Sequence, residues 1–115
     1  MSQPPPVSLD GVKMRVVATA ANGVVGAGTI FVFEQQGCVV TARYSGGRIT
    51  AGFLAGTWDG SRLAFRYVQV TDGDSIDSGQ SVAHLTRSPE GRLRLEENFQ
   101  WESRAGAGTN IFEEI

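Results

Sequence analysis

Glu97 is the residue whose surroundings in the sequence give it the clearest capacity for chemistry. It alternates with Leu93, Leu95, Phe99 and Trp101, while Arg94, Glu96, Asn98 and Gln100 fall on the opposite phase. Side chains two apart in a strand share a face, so this carboxyl belongs among large apolar neighbours on a buried side. There it needs a hydrogen-bonding partner or a raised pKa, because an isolated buried charge is costly. The expected partner is a tyrosine, arginine or glutamine from another strand. Tyr67 and Gln69 run in phase with Leu63 and Phe65, and Tyr44 with Val40 and Ala42. Three roles follow for Glu97. It ties strands together; or it joins Tyr44, Tyr67 and Gln69 as the polar points of a small-molecule site walled by Phe65, Phe99 and Trp101; or it acts as a general acid or base, for which no second activated group stands beside it.

Other chemistry-bearing residues are isolated. His84 is a lone histidine opposite in phase to Ala83 and Leu85, which favours a surface or hydrogen-bonded role over metal ligation. Cys38 is the single cysteine, so neither an intrachain disulfide nor a cysteine-based zinc site is expected, and no metal or cofactor is implied. Ser45-Gly46-Gly47 and the stretch Ala105 to Gly108 could offer backbone N–H groups to an anion, but neither opens a helix nor carries the lysine of a phosphate loop. Both read as turns. Trp58 and Trp101 belong either to the core or to a mouth, and Glu113-Glu114 to a solvated strand end, although alternation turns one of the two inward.

The elements that must position these residues are eight short apolar-rich segments divided by seven polar turns, with no amphipathic helix between them. They are Val12 to Ala20, Thr29 to Gln35, Cys38 to Tyr44, Arg48 to Trp58, Leu63 to Val70, Gly79 to Thr86, Arg92 to Trp101 and Thr109 to Ile115. Gln36-Gly37 reads as a tight turn, Asp59-Gly60 as a type I′ hairpin turn, Asp72 to Asp77 as a polar loop and Ser88-Pro89-Glu90-Gly91 as a turn with proline in its favoured place. Every connection is short, so each strand pairs with the next. The fold class is all-β, an eight-stranded antiparallel up-and-down barrel, whose even strand number allows closure without exposed edges. Such a barrel is filled by side chains or holds one small ligand. Gly52 and Gly56 share a face with Leu54, which predicts a void near the fourth strand lined by the aromatics.

Composition bounds the partners. With 115 residues the chain makes one domain: residues 1–11, carrying three successive prolines, read as a disordered leader and residues 12–115 as the barrel. A formal charge of −2 gives no reason to expect nucleic acid or an anionic membrane. No run approaches the roughly 20 apolar residues of a membrane span, and no basic-then-apolar leader is present, so the expected location is cytoplasmic. Ile30, Val32, Val39, Val68 and Val70 fall on outward phases, which predicts self-association as a homodimer.

Tyr44-Ser45-Gly46-Gly47 followed by Ile49, Gly52, Leu54 and Gly56, then Arg66-Tyr67 with Gln69, Leu95 with Glu97, Phe99-Gln100-Trp101, and Gly108 with Glu113-Glu114 form a pattern over most of the chain. It resembles a family of small bacterial proteins, many of which carry the name N-acetylglutamate synthase; Phe99 stands where the family pattern has tryptophan. The segments contain neither an acetyl-CoA-binding strand-turn-helix nor the helix an acetyltransferase needs. The resemblance implies a calycin-like barrel, similar in architecture to lipocalins and avidins. The functional expectation is a binding barrel for a small, partly apolar or aromatic ligand, contacted by Tyr44, Gly52, Phe65, Tyr67, Gln69, Glu97, Phe99 and Trp101. The alternatives are a small isomerase-like or hydrolytic enzyme using Glu97, or a packed barrel that acts through its outer face.

Overall fold

The computed structural model describes residues 7–20, 25–103 and 106–115. Strands β1 (Lys13–Ala18), β2 (Ile30–Gln36), β3 (Val39–Gly46), β4 (Ile49–Trp58), β5 (Arg62–Thr71), β6 (Ile76–Arg87), β7 (Leu93–Trp101) and β8 (Ala107–Glu114) form a closed barrel in chain order. Each pairs antiparallel with the next, and β8 closes on β1 through Met14 opposite Glu114 and Val16 opposite Phe112. The expected architecture is therefore the observed one. The physical cause is the period of two: on β5 Leu63, Phe65, Tyr67 and Gln69 are buried while Arg62, Arg66 and Val68 are exposed. On β7 Leu93, Leu95, Glu97, Phe99 and Trp101 are buried against exposed Glu96, Asn98 and Gln100.

Strand ends and turns differ in detail from expectation. β6 starts at Ile76, inside the stretch read as a polar loop, because Asp77 pairs with Gln69 and Ile76 with Val70. The turn between β2 and β3 is Gly37-Cys38, with Gly37 at φ 62°. Asp59-Gly60 is no type I′ turn, since Gly60 has positive φ and Asp59 does not. The Asp59 carboxylate instead caps the loop by accepting from Ser61 N at 2.9 Å and Arg62 N at 2.7 Å, and these backbone hydrogen bonds hold its pKa below the usual carboxylate value. On β4 a register shift between Ile49 and Ala51 brings Ile49 inward, out of phase with Gly52 and Leu54.

The two barrel ends are unlike. At the end formed by the β2–β3, β4–β5 and β6–β7 turns, residues 7–12 cross the opening. Leu9 is fully buried there; its N–H donates to Gln35 Oε1 at 2.8 Å, and Val7 O accepts from the Trp58 indole N–H at 2.7 Å. Residues 7–11 of the stretch read as a leader are thus packed, because Leu9 belongs to the buried apolar core and Val7 packs against it. Met1 to Pro6 lie outside the described residues. The opposite end carries the β1–β2, β3–β4, β5–β6 and β7–β8 connections. There Gly46, at φ 111°, lies against Gly28, so that any Cβ on it would strike the Gly28 carbonyl, and Thr29 Oγ1 donates to Gly46 O at 2.9 Å. Of the Ser45-Gly46-Gly47 stretch read as a turn, Ser45 and Gly46 end β3, and the turn itself is Gly47-Arg48. Of the Ala105 to Gly108 stretch, Ala105 lies outside the described residues, and Ala107 and Gly108 belong to β8.

Candidate functional site

Towards this second end the barrel interior holds a cavity of about 20 Å³, bounded by Phe31, Tyr44, Leu54, Tyr67, Gln69, Glu97 and further rings. Its polar contents form two pairs. Tyr44 Oη donates to Gln69 Oε1 at 2.9 Å, joining β3 to β5. Asn110 Nδ2 donates to Glu97 Oε1 at 2.9 Å, joining β8 to β7. Asn110 Oδ1 in turn accepts from Thr19 Oγ1 at 2.7 Å, which presents the amide N–H₂ to the carboxyl.

Glu97 is 5% exposed, in the place its phase assigned. Its partner differs from expectation: a β8 amide instead of a tyrosine, arginine or glutamine. Burial drives the Glu97 pKa upward, opposed by the Asn110 hydrogen bond. The Ser81 hydroxyl is close enough to favour the ionised form, yet outside hydrogen-bonding geometry. Tyr44 is also pushed far up, chiefly by desolvation and then by the neighbouring Glu97, Tyr67 and Asp77. A phenol in that state remains a neutral donor.

Aromatic rings make the walls. Tyr44 stacks on Phe31 with centroids 4.4 Å apart, and Phe31 meets Phe112 at 4.5 Å. Trp101 stands edge-on to Phe99 at 5.3 Å and to Tyr67 at 5.8 Å. Phe65 and Tyr67 complete the set at 6.3 Å.

The predicted residues Tyr44, Phe65, Tyr67, Gln69, Glu97, Phe99 and Trp101 thus surround one cavity. Gly52 does not open it. A Cβ there would lie 2.3 Å from Tyr44 Cε2, and one on Gly56 would lie 2.5 Å from Phe65 Cβ. The space those glycines leave is filled by the Tyr44 ring and by Phe65, so β4 meets the void through Leu54 and not through Gly52 or Gly56. Asn110, Phe31, Leu54 and Val25 line the cavity without having been predicted. For Asn110 the signal was present: it runs in phase with Phe112 on β8, as Glu97 does with Leu95 and Phe99. His84 is exposed beside Arg62 and Glu96. Trp58 is core at the closed end, whereas Trp101 stands at the other. Of the terminal acids, Glu114 takes the inner phase, and its Oε1 accepts from Leu93 N at 2.7 Å. Glu113 takes the outer phase yet is only 4% exposed, covered by Arg94 at 2.9 Å and Arg15 at 3.5 Å, so neither acid is a freely solvated strand end; the Arg94 hydrogen bond leads in holding the Glu113 pKa down.

A family model described as avidin-like protein matches residues 7–115. No curated protein and no solved structure matches the chain.

Proposed function

The chain belongs to the avidin-like protein family, and from that premise we propose that it binds a small, partly apolar molecule inside the barrel, at the end opposite Leu9. The observation that carries this reading is the concentration of paired polar groups, Tyr44–Gln69 and Glu97–Asn110, inside a shell of aromatic rings around the interior cavity described above. The cavity is small, so a ligand of more than a few atoms displaces side chains that line it. Binding is favoured over acetyl transfer because the described residues form strands throughout and supply no strand-turn-helix to cradle acetyl-CoA. Proton transfer by Glu97 draws on the same raised pKa, but Tyr44, pushed far up, provides no complementary base.

The two tryptophans give an internal control. A panel of compact aromatic and aliphatic molecules is screened by intrinsic fluorescence and thermal shift against wild type, Trp101→Phe and Trp58→Phe. Emission changes that vanish in Trp101→Phe and persist in Trp58→Phe support the site; changes that track Trp58 place binding elsewhere.

The outer face of β2 to β5 supports a second role, self-association. Val32, Phe53 and Val68 are 40%, 42% and 46% exposed, and they lie in one cross-strand row through Arg43. Ile30, Ala51, Val70 and Ile76 extend the same apolar face.

A further inference from the structure

We propose that the cavity receives the ammonium head of an organic amine, with the Glu97 carboxylate as its counter-ion. This rests on the barrel interior being a ligand site and goes further by naming the ligand's charge and head group.

Charge is the first argument. Glu97 and Asp77 are buried at 5% and 8% exposure, whereas among the described residues every lysine, arginine and histidine is exposed or, like Arg94, held on the outer face by Glu113. An anionic ligand entering this interior meets acids and no cation. A cation meets a carboxyl whose polar neighbours, the hydrogen-bonded Asn110 amide and the nearby Ser81 hydroxyl, are neutral. The desolvation of Glu97 is thus uncompensated by any cationic side chain among the described residues, and a positive ligand would compensate it.

Hydrogen-bonding capacity agrees. Asn110 occupies Oε1 of Glu97 alone, leaving Oε2 to accept from a ligand N–H. Gln69 Oε1 already accepts from Tyr44 and has a second lone pair to offer. A primary ammonium has three donors and no acceptor, so it can engage Glu97 and Gln69 together, with the Ser81 hydroxyl oxygen beside the carboxyl as a further acceptor. The rings of Tyr44, Phe65, Tyr67, Phe99 and Trp101 add the electron-rich faces on which cations rest.

Size separates a head group from a whole ligand. A cavity of about 20 Å³ holds something the size of one water molecule, and an ammonium group is of that size. The remainder of the amine then lies towards Val25 and Trp101. A water molecule is the competing occupant.

Proton linkage provides a distinctive readout. The titratable groups around the cavity are Glu97 from β7, Tyr44 from β3, Tyr67 from β5 and Asp77 from β6, with Ser81 of β6 and Asn110 of β8 against the carboxyl. Because burial favours the neutral form of Glu97, an amine that pairs with the ionised form expels its proton. Affinity then rises with pH until Glu97 is ionised in the free protein.

The test is titration calorimetry of wild type with n-butylammonium, n-butanol and butyrate at constant ionic strength, in two buffers of different ionisation enthalpy, with Glu97→Gln alongside. The expected result is that the amine binds at least about tenfold more tightly than the alcohol, releases a proton at pH values where Glu97 of the free protein is protonated, and loses about tenfold or more in Glu97→Gln. Should Glu97→Gln fail to fold, the proton count on wild type decides. Butanol or butyrate binding as well as the amine, or amine binding with no proton release and no dependence on Glu97, overturns the charge assignment while leaving a binding barrel. If none of the three binds and the fluorescence panel is also silent, the binding role itself falls.

Discussion

At Gly52 the missing side chain is what lets the Tyr44 ring lie across β4 and reach Gln69. A Cβ placed 2.3 Å from Tyr44 Cε2 cannot be accommodated by a small shift, so Gly52→Ala should displace the ring, break the Tyr44–Gln69 hydrogen bond and destabilise by about 1–3 kcal/mol in urea unfolding. A neutral Gly52→Ala would mean that the ring does not pack there. Glu97 leads to a pH prediction with a definite sign. Its folded pKa lies above its ordinary value of 4.5, so the folded state prefers the proton. The resulting stability is present below the unfolded pKa and lost as pH rises through the folded one. Wild type should therefore lose stability from about pH 4.5 upwards relative to Glu97→Gln, and parallel pH profiles for the two proteins would refute this. The inward place of Glu97 was legible because one acid stood in an otherwise apolar phase. Its partner was not, because an asparagine opposite it follows from the β7–β8 register, which pairs Glu97 with Asn110 only once strand ends are known.

At the scale of elements, alternation made the eight strands legible, since each long strand keeps one face on the core. Loop geometry was less so. The Asp59-Gly60 dipeptide suits a two-residue hairpin, yet Asp59 spends its carboxylate on Ser61 and Arg62 and so widens the loop. Residues 7–12 were hidden for another reason: six residues following three prolines are too few to show a period, and the packing of this segment depends on Gln35 and Trp58, which are remote in sequence. This segment acts as a stopper for the closed end. Leu9→Ala should cost about 2–5 kcal/mol, read as a lowered midpoint in chemical unfolding, because the side chain is fully buried and its removal leaves a cavity. An unchanged midpoint would return the segment to the status of a leader.

For the molecule as a whole, the outer row Val32, Phe53 and Val68 predicts a concentration-dependent dimer that Phe53→Glu abolishes without altering the fold, checked by sedimentation at micromolar concentration and by circular dichroism. A wild-type protein that sediments as a monomer throughout would remove the interface. The position of the chain ends has a separate consequence. Ile115 N donates to Lys13 O, and Val7 O holds the Trp58 indole, so both ends of the described barrel sit at the stoppered pole. Chain leading out from Val7 or from Ile115 therefore departs at the stoppered pole, away from the pole where the cavity lies.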